Sequence, residues 1–323
     1  MSSVPHAHRT AFVLAGGGSL GAVQVGMLKA LVRHGLIPDL VIGASVGAIN
    51  GAHFAAEPNR DGIARLEDIW KRLDGKDVFP FSPVSSLLSL LGKRDHFVTS
   101  AGLRALLEAE LPLLRLEDTR VACHVVATDV LTGAEVVLSS GHAITALLAS
   151  AAIPAVFPTV VVEDRYLMDG GVANNTPISA AIRLGATRII VLPTGMSCAI
   201  EAPPRGAMAV AMHALNLLVM QQLERDVERF SNQAQLIIVP PLCPLTVTPY
   251  DFSQSAELIR RAESTTRLWL KQGGLHAVGS THGPLVHDHR SRRTTAHAPT
   301  SLSPRHAGLG QVRTKASQGS GAG

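Results

Sequence analysis

The sequence predicts an α/β fold built on a mainly parallel central sheet. Three observations predict it. Short apolar runs that stop at glycines, "TAFVLA" (10–15) and "DLVIG" (39–43), read as strands covered on both faces. Each is followed by a stretch of helical length, "AVQVGMLKALVRHG" (22–35) and "VGAINGAHFAA" (46–56). Hydrophobic residues make up 46% of the 323 positions and charged residues 17%, which is enough to bury a large core and too apolar for a disordered chain.

The remaining elements follow in order. Gly35 fits a C-terminal cap for the first helix. "DGIARLEDIWKRL" (61–73) reads as an amphipathic helix. The segment 79–97 mixes Pro and Ser with Leu87, Leu88, Leu90 and Leu91, and reads as a lid over a site or as an irregular packed connection. "VACHVVATDV" (121–130) is a strand and "GAEVVLSSG" (133–141) its hairpin partner. "HAITALLASAA" (142–152) is a helix ended by Pro154, and "TVVVED" (159–164) and "RYLMDGG" (165–171) are two strands around a turn. "PISAAIRLGA" (177–186) opens with Pro, a tolerated start for a helix. A strand at 188–194, a long helix over 205–230, a strand at 236–240 and a helix over 253–272 complete the domain.

Three parts are expected: an N-terminal arm (1–9), a catalytic domain (10–275) and a disordered tail (276–323). The tail holds six basic residues against Asp288 alone, so it accounts for the net charge of +4 and leaves the rest near neutral. Aromatics are only 4%, so no stacking platform for nucleic acid is expected, and no nucleic-acid partner. Cys123, Cys198 and Cys243 are too scattered for a disulfide framework or a metal site, so neither metal nor cofactor is expected. "HRTAFVLAGGGSLGA" imitates a signal peptide, but its apolar run is short, and no stretch reaches membrane-spanning length. A cytoplasmic protein that meets membranes at most peripherally is expected.

"GGGSLG" places Gly16, Gly18 and Gly21 between a strand and a helix. This is the setting of a dinucleotide-binding loop, and also of an oxyanion site, because helix-start amides favour either anion. The dinucleotide reading needs an acid at the exit of the second strand. Asp39 lies at the right distance in sequence but begins that strand.

At that exit stands "GASVG", with Ser45 between Gly43 and Gly47. A nucleophile elbow needs small residues two before and two after the serine, where a sharp turn crowds the backbone. The same residues also suit a strand-helix corner with Ser45 as N-cap. A nucleophile needs a base. His53, His96, His124, His142 and His213 fall in helices, a strand or the irregular segment, and none occupies a suitable loop. The sharpest acid is Asp169, ahead of Gly170 and Gly171. Asp129 is a second candidate that reads as fixing a turn.

"GGGSLG", "GASVG" and "DGG" in this order resemble the patatin-like phospholipase family. "ATDVLTGAEVVLSSG" (127–141), "ASAAIPAVFPTV" (149–160) and "DGGVANNTP" (169–177) extend the likeness over residues 10 to 195. The resemblance implies a three-layer α/β/α fold and hydrolysis of lipid acyl esters through an acyl-enzyme. By position it makes Ser45 the nucleophile, Asp169 the proton acceptor and the amides of Gly16, Gly17, Gly18 and Ser19 the oxyanion hole. The substrate is then a lipid or acyl ester, met by transient membrane contact for which the helix over 207–223 is one candidate and a packed core helix the other reading. Two positions depart from the family pattern: Leu20, where Arg or Lys is common, and Ala155, where Gly is frequent. The other classes are a dinucleotide-binding protein and a non-catalytic acyl-chain binder.

Overall fold

The computed structural model describes residues 8–78, 96–195, 203, 205–243, 245 and 247–276, without the side chains of 207–209 and 212. The expected arm, lid and tail lie, except for their edges, outside these residues. The strands are β1 (Thr10–Leu14), β2 (Leu40–Ala44), β3 (Ala122–Asp129), β4 (Glu135–Leu138), β5 (Val160–Val162), β6 (Arg165–Asp169), β7 (Arg188–Leu192) and β8 (Gln235–Ile238). The helices are α1 (Gly21–Arg33), α2 (Val46–Ala56), α3 (Arg60–Arg72), α4 (Gly75–Val78), α5 (Ala101–Glu110), α6 (Ala143–Ser150), α7 (Gly171–Asn174), α8 (Ile178–Arg183), α9 (Ala207–Phe230) and α10 (Ser255–Lys271).

The sheet runs in the order β5-β6-β3-β2-β1-β7-β8, with β4 also on β3. β1 pairs in parallel with β2 and β7, β2 with β3, and β7 with β8, while β4, β5 and β6 join antiparallel. β1 and β2 are buried at every residue, which is why they read as unbroken apolar runs. Successive side chains go to opposite faces. Phe12 and Leu14 pack into one core with residues of α1, α2, α3, α5, α6 and α10. Ala11 and Val13 pack into another with residues of α8 and α9. The result is three layers, α/β/α.

One helix the sequence reading passed over is α5. Its Leu103 and Leu107 are buried four residues apart, the spacing of one helical face. The two halves of α9 differ. Leu223, Val227 and Phe230 are buried against the sheet, whereas Val210, Leu217 and Leu218 are exposed. Among the described side chains of 207–223 only Leu223 is buried, so the packed-core reading of that stretch fits only its last residue. Leu20 is buried in the core, so the apolar side chain at this departure from the family pattern fills space.

Candidate active site

The site forms where adjacent parallel strands end. Leu14 of β1 is level with Gly43 of β2 and with Leu192 of β7, so the loops that leave these strands emerge together. β1 is also the point from which the chain winds in both directions, the usual ligand position in open α/β sheets.

Ser45 follows β2 directly and precedes α2. Its backbone is at φ 53°, ψ −128°, a region costly for a residue with a Cβ. The turn closes because its neighbours are small: a Cβ on Gly47 would lie 2.3 Å from the Leu14 carbonyl, and one on Gly43 2.5 Å from Gly47. Ser150 in α6 holds the turn from behind. The Ser45 N–H donates to Ser150 Oγ at 2.8 Å, and that hydroxyl donates to the Val126 carbonyl at 2.6 Å. The Ser45 side chain makes no N-cap hydrogen bond, so its hydroxyl is not spent on the helix.

Asp169 arrives at the same place from the other direction. β4 covers one edge of β3 over Val125–Thr128. β2 and β6 must therefore share the opposite edge, where Ala44 pairs with Val126 and Asp169 with the next residue, Ala127. The two strands meet nearly end to end, and Ser45 and Asp169 stand at the junction. Asp169 is 7% exposed. Its Oδ1 accepts the Gly171 N–H at 2.7 Å, and Oδ2 has no hydrogen-bond partner. Burial pushes its pKa up to about 6, against smaller opposing effects of the Ser45 hydroxyl and the Gly171 amide. The Ser45 hydroxyl is thus close enough to act on the carboxylate, although the pair is not closed into a full hydrogen bond.

The glycine loop lies over this junction. The Gly16 N–H donates to the Asn175 carbonyl at 3.1 Å and the Ser19 N–H to the Pro249 carbonyl at 2.8 Å. Between them, the N–H groups of Gly17 and Gly18 have no backbone acceptor among the described residues. Gly18 sits at φ 57°, and a Cβ there would lie 2.3 Å from the Pro249 carbonyl. The Gly16 carbonyl is held by Thr194 Oγ1 at 2.8 Å and by Asn175 Nδ2 at 3.4 Å. A chain of buried polar side chains supports the loop from below. Trp70 Nε1 donates to Asn50 Oδ1 (2.9 Å), and Asn50 Nδ2 donates to Gln24 Oε1 (2.9 Å) and to the Gly21 carbonyl (3.0 Å). Gln24 Nε2 donates to the carbonyls of Ala15 (2.8 Å) and Leu192 (3.0 Å). Sequence reading missed Ser150, Asn175 and this chain. Its one signal was Gln24 and Asn50, single amides on the buried faces of largely apolar helices.

Beside Ser45 opens a pocket lined mainly by apolar side chains of α2, α3 and α5, among them Ile49, Leu66, Leu103 and Leu107; its empty space, with the solvent-open mouth included, is about 790 Å³. The candidates outside the junction are placed otherwise. Asp129 Oδ1 accepts the N–H groups of Leu131 (3.0 Å) and Thr132 (2.9 Å), so it fixes a turn. Asp39 Oδ2 accepts the Thr10 N–H at 2.7 Å. That is the beginning of β1, at the end of the sheet away from the glycine loop, so Asp39 cannot grip a ribose there. His124 pairs with Ser139 Oγ at 2.7 Å, and His142 caps α6. Among the described histidines, only His53 lines the pocket.

A three-layer α/β protein with a serine on a strained strand-to-helix turn, facing a buried carboxylate and a glycine loop, has the form of a serine hydrolase. A family model described as "Patatin-like phospholipase" matches residues 12–182, more than half of the chain. The chain belongs to the patatin-like phospholipase family. It is 29% identical over 187 residues to patatin-like phospholipase domain-containing protein 7 of Rattus norvegicus, a match covering 57% of this chain and 13% of that protein. Lysophospholipase NTE1 of Scheffersomyces stipitis is 28% identical over 57% of this chain and 11% of its own length. The chain thus matches only a small part of these relatives. Among solved structures, VipD from Legionella pneumophila aligns over 84% of this chain and 67% of that one, with TM-score 0.45 and 16% identity. Human GIVD cytosolic phospholipase A2 aligns over 83% and 58%, with TM-score 0.44 and 13% identity.

Proposed function

We propose that this chain hydrolyses lipid acyl esters with Ser45 as nucleophile and Asp169 as its only base. The observation that carries the reading is the junction of β2 and β6. There a serine hydroxyl in a strained turn lies by a buried carboxylate with one unpaired oxygen, under two amides that have no backbone acceptor among the described residues. Ser45 Oγ attacks the ester carbonyl as its proton passes to Asp169. The carbonyl oxygen becomes an anion held by the N–H groups of Gly17 and Gly18. Of the loop residues, Gly16 and Ser19 then serve to anchor it, their own amides being engaged. The positive end of α2 favours the same charge. Collapse of the intermediate expels the alcohol, which takes the proton from Asp169, and leaves an acyl-serine. Water then attacks with Asp169 again accepting the proton, the acid departs, and the proton returns to Ser45.

A carboxylate can serve as base near neutral pH because burial raises its proton affinity toward the working pH. The apolar pocket beside Ser45 supports a fatty acyl chain as the group transferred. Among the described residues no helix is long and apolar enough to cross a membrane. The exposed Val210, Leu217 and Leu218 of α9 support transient contact with a lipid surface. The test is a panel of lysophospholipids, phospholipids and simple esters, run with the wild type and Ser45→Ala. Hydrolysis by the wild type, with loss of both turnover and fluorophosphonate labelling in the variant, is expected. Undiminished hydrolysis by Ser45→Ala overturns the proposal.

A further inference from the structure

The pocket beside Ser45 is apolar along α2 until its third contact. Val46, Ile49 and His53 all line it, at successive spacings of three and four residues, so they form one stripe of the helix. Two aliphatic side chains are followed by an imidazole. A polar ring in such a wall is costly unless it is hydrogen-bonded. His53 is only 4% exposed, and its Nδ1 has no hydrogen-bond partner.

Apart from Ser45, the other polar side chains among the described residues that line the pocket have partners. Trp70 Nε1 donates to Asn50 at 2.9 Å, and Glu110 pairs with Arg72 at 3.3 Å. Ser45 belongs to the reaction. Burial first, and the charge of Arg65 second, hold the pKa of His53 down to about 4, against a smaller effect of its own backbone. The guanidinium of Arg65 is itself paired with Glu57. At neutral pH His53 is therefore an uncharged ring with one donor and one acceptor nitrogen.

We infer that the pocket takes an acyl chain carrying a hydroxyl group at the depth of His53, and that His53 selects it. The inference rests on the reading of Ser45 as the residue that receives the acyl group. A hydroxyl both donates and accepts, so it matches a neutral imidazole in either tautomer. A carboxylate or phosphate on the chain would need a cation, and Arg65 is engaged. Ser45 and His53 are eight residues apart in sequence. That corresponds to about 12 Å along the helix axis, and an extended chain advances about 1.2 Å per bond, which puts the hydroxyl at roughly carbons 8–12.

The experiment compares 1-(10-hydroxystearoyl)- and 1-stearoyl-lysophosphatidylcholine as substrates for the full chain. One added neutral hydrogen bond predicts a kcat/KM ratio of about 3–10 in favour of the hydroxylated ester. His53→Leu removes the preference, and His53→Gln, which still donates and accepts, retains most of it. A wild-type ratio at or below one overturns the inference while leaving acyl hydrolysis by Ser45 intact. If neither ester is turned over, the hydrolase reading fails instead, and binding decides the matter. Ser45→Ala protein is then titrated with free 10-hydroxystearate and with stearate by displacement of a fluorescent fatty acid. Tighter binding of the hydroxy acid that His53→Leu abolishes supports the inference, and equal binding overturns it.

Discussion

Ala44 and Asp169 sit on one edge of β3, paired with its consecutive residues Val126 and Ala127. These positions are far apart in sequence, yet one strand sets their spacing. The proposed nucleophile follows the first of them, and the proposed base is the second.

Ser45 occupies a backbone conformation that glycine adopts more readily than serine. Ser45→Gly is expected to be inactive and more stable than the wild type, by about 1–3 kcal/mol. Ser45→Ala is expected to be equally inactive without that gain. Denaturant midpoints for the three proteins check this, and a Ser45→Gly protein less stable than Ser45→Ala contradicts the strain.

Asp169 must be ionised to accept a proton. With its pKa up at about 6, kcat/KM is expected to fall as pH drops through that value and to level off above it. Stability moves the other way. A carboxyl whose pKa rises from 3.8 to about 6 on folding favours the fold below pH 4 and loses that contribution as pH rises through 6. The loss is on the order of 3 kcal/mol. Asp169→Asn is therefore expected to be inactive yet to melt about 2–6 °C higher at pH 8, with no such gain at pH 4. Thermal melts at the two pH values give the answer.

Gly18→Ala places a methyl group against the Pro249 carbonyl and strains a residue at φ 57°. The loop must shift, and with it an amide proposed to hold the oxyanion. A fall in kcat of about 10²–10³ with little change in KM is expected. A proportional rise in KM alone would place the loop in substrate binding instead.

Ser150→Ala removes the hydroxyl that joins the Ser45 amide to the Val126 carbonyl. Two buried backbone groups lose their partner, which costs about 1–3 kcal/mol. Activity is expected to drop more than stability alone explains, because the turn is no longer held from behind. Ser150→Thr, which keeps the hydroxyl, should recover more activity than Ser150→Cys.

Ala155 stands at φ 65°, where a Cβ is unfavourable. Ala155→Gly is expected to leave activity unchanged and to stabilise the fold by up to about 1 kcal/mol. A melting-point comparison suffices.

The layered fold was legible because β1 and β2 are buried at every residue and a helix follows each of them closely. Ser45 and Asp169 were legible as candidates because each stands among small residues that a turn requires, and the structure brings the two positions together at one edge of β3. α5 was passed over because "AGLRALLEAE" follows a segment with no clear period. Ser150 left no signal: a small hydroxyl in an apolar helix looks like any other packing residue until its hydrogen bonds are seen. The division of the glycine loop into free and engaged amides depends on Asn175 and Pro249, which lie far along the chain. Local pattern carries no information about such partners.

The end-to-end meeting of β2 and β6 makes β3 the ruler of this site. Connections elsewhere can lengthen, shorten or exchange sequence without changing the interval it measures. A single residue inserted between Val126 and Ala127 would lengthen that interval and turn the following side chains to the opposite face. The chemistry is thus insulated from variation around it and exposed to error at one step of one strand.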